Sequence, residues 1–253
     1  AGAGADVLQA MAGGARSIDA VELDPLVVDL VQQRFGSFSG RPYSAPGVRV
    51  HIGEARGFVA RHGERFDLIT VALLDAFGAS SAGLYALAES YLYTTEAIGT
   101  YLDRLEPAGL LAITRWMQLP PRDTLKLFAT AVAALVVKAR NFDAAEIAAL
   151  REFCRTRSFD VVHFPGITPG EVNRFNVLEP PDLEQGVQAL LGPARADFIE
   201  RYKFAIEPAT DDRPYFFRFF RWQTLPELLA LEGQGGLALL EWGYPVLVAT
   251  LLQ

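Results

Sequence analysis

The sequence has few of the residues that build disulfides and metal centres. Its 253 residues include one cysteine, Cys154, and three histidines, His51, His62 and His163. A single cysteine excludes an internal disulfide and a cysteine-rich zinc site, and the three histidines are too scattered for a histidine metal cluster. We therefore expect a protein that works without a metal ion.

The sequence also has fewer basic residues than acidic residues. Lys and Arg number 23 against 30 Asp and Glu, which gives a formal net charge of −7 and an isoelectric point near 5.1. Proteins that bind nucleic acid present a basic surface to the phosphates, so this balance argues against such a partner. Apolar residues at 51% and charged residues at 21% exclude a disordered chain.

Both ends of the sequence have the character of a piece cut from a longer chain. The first six residues form a glycine-rich loop with no strand before it, and residues 237–252 are almost wholly apolar apart from Glu241. Trp242 and Tyr244 precede the last apolar run, which is shorter than the about 20 residues that a membrane span needs. This end is either a core helix or the start of a span. The second alternative places the domain on the cytoplasmic face of a membrane, and the first leaves it free in the cytoplasm.

Strand and helix patterns alternate along residues 1–118, the expected core. The predicted strands are residues 17–23, 48–52, 66–75 and 110–114, and the predicted helices are residues 7–12, 24–35, 57–62 and 91–105, the last of them ended by Pro107-Ala108-Gly109. Asp24-Pro25 is a typical helix start, with an N-cap followed by proline. The alternation predicts an α/β fold with a mostly parallel sheet and helices on both faces.

Residues 119–222 are expected to continue the same α/β domain with added helices, and residues 223–253 form an apolar tail. The predicted elements are a helix capped by Asp123 and reaching Leu135, a helix over residues 143–157 that buries Cys154, a strand over residues 159–164, and a helix over residues 182–202 broken at Gly192-Pro193. The helix that ends at Leu135 runs into Val136 with no turn residue, so we expect that residues are omitted there.

Polar residues follow successive strands where a parallel sheet binds its ligands, at the carboxyl ends. The loop with Gly2 and Gly4 is either a tight turn or a place where a ligand approaches a helix N-terminus. Glu22, 18 residues after Gly4, is either a solvated charge or a carboxylate that binds ribose hydroxyls. Glu54 either caps the next helix or accepts from an adenine amine, and Asp75 either caps a loop or faces a pocket.

Several segments in order resemble the spermidine synthase family, aminopropyltransferases with the Rossmann-like class I methyltransferase fold. They are Gly2 to Leu8, Ala20 to Pro25, Ile52 to Arg56, Phe66 to Ile69 and Leu92 to Thr94. The later segment Thr210 to Phe217 is similar to one in the membrane-attached bacterial relatives. From its residues alone, that segment is either a salt-bridged turn that anchors an aromatic strand or part of a pocket lid, and its aromatic end (216–222) could rest against a membrane interface.

The resemblance implies roles for individual residues. Gly2, Gly4, Glu22, Glu54 and Ala55 would hold S-adenosylmethionine or its decarboxylated form, with Glu22 on the ribose and Glu54 on the adenine amine. Asp75 would orient or deprotonate an amine acceptor.

The sequence departs from the family pattern at two positions. Asp75 matches the second aspartate of a loop in the family, but Ala72 stands where that loop has its first aspartate, and Gly4 stands where the family has the acid that binds the aminopropyl ammonium. We therefore keep three interpretations: aminopropyl transfer to an amine, methyl transfer from S-adenosylmethionine, and a catalytically silent nucleotide-binding module of a membrane protein. A homodimer is compatible with all three.

Overall fold

The computed structural model of the protein describes residues 2–73, 88–135 and 142–230, together with residues 248, 250 and 251. Asp75, the junction between Leu135 and Val136, and most of the apolar tail lie outside these residues, so the expectations for them remain predictions. The chain divides into two compact units. Residues 1–75 and 100–114 form the first unit, and residues 76–99 and 115–253 form the second.

The first unit alternates strands and helices in the predicted order, with one additional short helix before the second strand, in residues 36–47, which were predicted to be a loop. Its strands are β1 (Ile18–Glu22), β2 (Val48–Ile52), β3 (Phe66–Val71) and β4 (Leu105–Ile113), and its helices are α1 (Ala5–Ala12), α2 (Pro25–Asp29), α3 (Gly36–Ser39) and α4 (Ala55–Arg61). A π-helical segment, Leu30–Arg34, extends α2, and a 3-10 turn, Pro42–Ser44, follows α3. Asp24 caps α2 as predicted, because its Oδ1 accepts the Leu26 N–H at 2.8 Å.

The strands pair in parallel, as the alternation with helices predicts. Strand β1 pairs with β2, with Glu22 opposite Ile52, and β3 pairs with β4. Ala20 of β1 packs in the core with Val7 of α1 and Val28 of α2. The fold is therefore mixed α/β, with helices and parallel-strand sheets, consistent with the Rossmann-like fold predicted from the sequence.

Strand β4 starts earlier than the sequence suggests. We predicted a helix over residues 91–105 that ends at Pro107-Ala108-Gly109. The observed helix α5 (Thr95–Asp103), which has residues in both units, ends sooner, and Pro107-Ala108-Gly109 lies within β4. The β3–β4 register shifts between Phe66 and Leu68, and a Cβ on Gly109 would lie 2.7 Å from the Phe66 carbonyl oxygen. Pro107 and Gly109 therefore lie at an irregularity in the strand pairing. The sequence prediction took them for helix breakers, which is their more usual role.

In the described part of the second unit, helices alternate with long irregular segments. Besides the start of α5 the helices are α6 (Asp123–Leu135), α7 (Ala144–Thr156), α8 (Asp182–Leu191), α9 (Arg195–Arg201) and α10 (Leu225–Ala230). Its core packs Leu125 and Ala129 of α6 against Val187 and Leu190 of α8. The break between α8 and α9 at Gly192-Pro193 is confirmed.

Three local predictions in the second unit are wrong. Residues 159–164 form no strand. The carboxylate of Asp160 instead accepts the main-chain N–H groups of Arg174, Phe175 and Asn176 at 2.7 to 2.8 Å, which fixes this segment as a loop. Cys154 is only partly buried, because no residue of α7 is fully buried. Asp123 begins α6, but its carboxylate pairs with the Arg115 guanidinium at 3.1 Å.

The aromatic segment after residue 213 also differs from the predicted strand. Residues 214–221 form no strand, and Phe216, Phe219 and Phe220 are at most 6% exposed. These rings fill the core of the second unit, so the membrane-interface alternative is wrong for them. Among the residues that the structure describes, no helix has both the length and the apolar character needed to span a membrane.

Candidate functional site

The glycine-rich loop at the start of the chain leads directly into helix α1. Gly2 and Gly4 have φ values of 53° and 86°, a backbone conformation that side-chain-bearing residues rarely adopt. Gly4 is the N-cap of α1 and provides no side chain to its first turn. The loop therefore presents a bare backbone at the N-terminal end of a helix, where partial positive charge favours electron-rich ligand groups.

Glu22 is the last residue of β1, and its carboxylate is bound to the glycine loop. Oε2 accepts the Gly2 N–H at 2.6 Å, and Oε1 accepts the Asp24 N–H at 3.1 Å. Burial raises the pKa of Glu22, hydrogen bonds from these main-chain N–H groups are among the causes that lower it, and the pKa is lowered overall. The carboxylate is thus ionised and fixed in orientation at the end of the strand.

The turn Pro42–Ser44 packs against the same loop. The Tyr43 hydroxyl donates to the Gly2 carbonyl at 2.5 Å, and a Cβ on Gly4 would lie 2.6 Å from Pro42 Cγ. Any side chain at position 4 would meet the proline ring. The structure therefore explains why glycine, and no acidic residue, stands at this position.

Glu54 caps helix α4 at the end of the neighbouring strand. Its Oε1 and Oε2 accept the N–H groups of Arg56 and Gly57 at 2.7 and 2.5 Å. Of the two alternatives for Glu54, the structure shows the capping role, and the contact with an adenine amine stays a prediction. Ala55 is the first residue of α4.

Exposed apolar side chains lie next to these carboxylates. Leu23, which follows Glu22, is 70% exposed, and Ile52, which is opposite Glu22 in the strand register, is 53% exposed. Leu26 of α2 is also 70% exposed. Ligand sites typically combine an apolar surface with a few fixed polar groups, and this end of the β1–β2 pair offers both.

The second unit holds charged groups that sequence reasoning missed. The Arg115 side chain is 2% exposed and ion-pairs with Asp123, and its guanidinium lies 5.1, 5.5 and 5.0 Å from the ring centroids of Tyr93, Phe216 and Phe217. A basic residue just before a proline-rich turn and an aromatic run downstream were the available signals. Because these partners are far apart in sequence, the cluster could not be assembled from spacing.

Lys126 is also buried, at 4% exposure. Its Nζ donates to the carbonyls of Tyr215 and Arg218 at 3.1 and 2.7 Å. The ammonium group thus binds the main chain that carries the buried aromatic rings. We read this contact as part of the fold of the second unit.

The segment Thr210 to Arg213 forms a turn, closed by a bridge between its first and last residues. Asp211 Oδ1 accepts the Thr94 hydroxyl at 2.7 Å, and the Asp211 N–H donates to Glu96 at 3.0 Å. The structure therefore shows an anchored turn in the second unit, held by hydrogen bonds to residues 94–96.

A match to a protein-family model connects part of the chain to known proteins. Residues 11–112 match the spermine/spermidine synthase domain. This part of the chain is similar to the spermidine synthase family. The matched range contains Glu22, Glu54, Ala72 and Asp75, whereas Gly2 and Gly4 precede it. A search among curated proteins gives no match.

This similarity supports a function as a transferase related to the aminopropyltransferases. The substrates of that family are decarboxylated S-adenosylmethionine and an amine. Within the described ranges, no group of histidine, cysteine and carboxylate side chains is arranged to hold a metal ion. Asp75, which the resemblance assigns to the amine acceptor, lies outside the described residues, which stop at Leu73 before this segment.

Proposed function

We propose that this protein transfers an aminopropyl group from decarboxylated S-adenosylmethionine to an amine. The observation that carries the proposal is the hydrogen bond from the Gly2 N–H to the Glu22 carboxylate. Glu22 lies inside the region that matches the spermine/spermidine synthase domain, and Gly2 lies just before it. This hydrogen bond joins the end of a strand to the glycine loop, where a nucleotide is bound in folds of this kind.

The nucleotide would bind at the carboxyl end of the β1–β2 pair. Each oxygen of an ionised carboxylate can accept more than one hydrogen bond, so Glu22 can accept from ribose hydroxyls while it binds main-chain N–H groups. Leu23 and Ile52 offer exposed apolar surface for the adenine ring. Glu54 would accept from the adenine amine in addition to capping α4.

The reaction is a displacement at carbon. The acceptor nitrogen, as a neutral amine, attacks the aminopropyl carbon bonded to the sulfonium; the carbon–sulfur bond breaks and methylthioadenosine leaves. The extra proton on the attacking nitrogen passes to a base, for which we propose Asp75. A positioned base contributes about 10²- to 10⁴-fold. Because position 72 is alanine, the first carboxylate of the family's loop is missing, and Asp75 would act alone.

One observation favours a second candidate, methyl transfer from S-adenosylmethionine itself. The ring of Pro42 occupies the space where a side chain at position 4 would lie. The ammonium of the decarboxylated nucleotide would find no carboxylate there. The methionine carboxylate of the parent compound would instead meet bare backbone at the start of α1.

Calorimetric titration with three nucleotides separates these functions. We expect the decarboxylated form to bind more tightly than S-adenosylmethionine, methylthioadenosine to bind as the product, and a panel of diamines and polyamines to be aminopropylated. Preference for the parent compound with methylated products would establish the second candidate. Binding without turnover would indicate a silent module, and binding of none of the three would overturn the nucleotide assignment.

The residue that carries the proposal is tested with a matched pair of variants. Glu22→Gln should weaken methylthioadenosine binding by about 10- to 100-fold, because it removes charge-assisted hydrogen bonds to the ribose. Glu106→Gln is the control, since Glu106 is an exposed carboxylate on β4 of the same unit. Equal affinities of the two variants would contradict the role of Glu22.

A further inference from the structure

Tyr43 connects the hydrophobic core of the first unit to the glycine loop. Its ring packs with Val7, Ala20 and Val31, and the residue is 3% exposed. The hydroxyl emerges from this core at the Gly2 carbonyl, to which it donates at 2.5 Å. A side chain fixed by packing therefore holds one main-chain atom of a loop built from glycine and alanine.

The proline before Tyr43 confines the same loop. A Cβ on Gly4 would lie 3.2 Å from Pro42 Cβ and 3.6 Å from Tyr43 Cε1. Arg41, which starts this turn, has a φ of 51°, a conformation uncommon for a residue other than glycine. The turn thus has an uncommon backbone geometry that places two consecutive side chains against Gly2 and Gly4.

A chain of two hydrogen bonds leads from Tyr43 to the carboxylate that we assign to the ribose. The Tyr43 hydroxyl binds the carbonyl of Gly2, and the N–H of Gly2 binds Glu22 Oε2 at 2.6 Å. From this geometry we infer that Tyr43 is a positioning residue of the nucleotide site, which fixes the loop and, through Gly2, the orientation of Glu22. This inference rests on the proposed function, because it concerns how that site binds its nucleotide.

The Tyr43 hydroxyl keeps its proton and so remains a hydrogen-bond donor. Burial, followed by the negative charges of Glu22 and Asp6, raises the pKa of Tyr43 to about 12. The phenol therefore keeps its proton throughout the physiological range and can donate to Gly2 at any pH at which the protein works.

The test compares Tyr43→Phe with Tyr202→Phe. Tyr202 is the matched control, since its hydroxyl also donates to a main-chain carbonyl, that of Pro121 at 2.6 Å, but in the second unit. Both variants lose one hydrogen bond of the same type and should lower the melting temperature by similar amounts. Only Tyr43→Phe should weaken methylthioadenosine binding, by about fivefold.

A double-mutant cycle with Glu22→Gln distinguishes positioning from a general loss of stability. If Tyr43 acts through Glu22, Tyr43→Phe should change the affinity less than about twofold in the Glu22→Gln background. Additive losses, or an unchanged affinity in Tyr43→Phe alone, would overturn the role of Tyr43 while the proposed function stands. A wild-type protein that binds none of the three nucleotides overturns the proposed function, and the role of Tyr43 with it.

Discussion

Charged side chains have different surroundings in the two units. In the first unit, the Glu22 and Glu54 carboxylates lie at strand ends, where main-chain N–H groups orient them. In the second unit, Arg115 and Lys126 are inside the core, surrounded by aromatic rings and main-chain carbonyls. A charged group fixed at an exposed strand end is accessible to a ligand. A charged group enclosed in the core is inaccessible and stabilises the fold.

Asp123→Ala should have the largest effect, because it removes a carboxylate that pairs with the buried Arg115 guanidinium. Removing one partner of a buried ion pair costs about 3 to 5 kcal/mol in the free energy of unfolding. The measurement is urea denaturation. The control is Asp197→Ala in the exposed Asp197–Arg201 pair, for which less than about 1 kcal/mol is expected. Similar losses in both variants would break the contrast between core and surface charges.

Gly4→Ala tests whether the glycine loop is confined by its neighbours. Gly14→Ala is its matched control, because Gly14 has a φ of 83°, close to the 86° of Gly4, but open space around it. Both variants acquire backbone strain, and only Gly4→Ala meets the Pro42 ring. We expect Gly4→Ala to be less stable than Gly14→Ala by about 1 to 3 kcal/mol. Equal stability would show that Pro42 does not restrict the loop.

Asp160→Asn examines a carboxylate of the second unit that lies outside the core. Its three main-chain donors and the Asn176 side chain lower the pKa of Asp160 even though burial raises it. Loss of the charge should reduce the free energy of unfolding by about 1 kcal/mol, and amide exchange should increase at residues 174–176. An unchanged exchange rate would contradict the role of Asp160 in fixing this loop.

The smallest expected effect is a loss of stability in acid. Hydrogen bonds from Arg49 lower the pKa of Asp19 despite its burial, with a further contribution from His51. Near and below pH 4, the folded state binds fewer protons at Asp19 than the unfolded state does. The contribution of Asp19 to the free energy of unfolding is therefore present above about pH 4, the pKa in the unfolded chain, and is lost as the pH drops further. Urea denaturation at several pH values should show a shallower fall for Asp19→Asn than for wild type. Parallel curves would contradict the prediction.

Much of the first unit follows from local patterns in the sequence. Strands β1 to β3 and helices α1, α2 and α4 were predictable because apolar spacing and the Asp24-Pro25 start are local signals. The start of β4 was not, because its Gly109 lies against Phe66, far away along the chain. The false strand at residues 159–164 has the same origin, since Asp160 binds main-chain groups 14 to 16 residues later.

The candidate site was predictable in part. The spacing between Gly4 and Glu22 pointed to one site, and the structure joins this loop to Glu22 through Gly2. The part played by Tyr43 was hidden, because it lies 41 residues from Gly2 in a segment rich in glycine, serine and proline. A Pro-Tyr pair within such a segment was the one signal that a buried turn was present.

The most direct test of the account is a crystal structure of the protein with methylthioadenosine. We predict that the Glu22 carboxylate oxygens lie within about 3 Å of the two ribose hydroxyl oxygens, next to the Gly2–Gly4 backbone, with the adenine beside Leu23 and Ile52. A nucleoside bound elsewhere, with the Glu22 carboxylate contacting only Gly2 and Asp24 as before, would contradict the central claim.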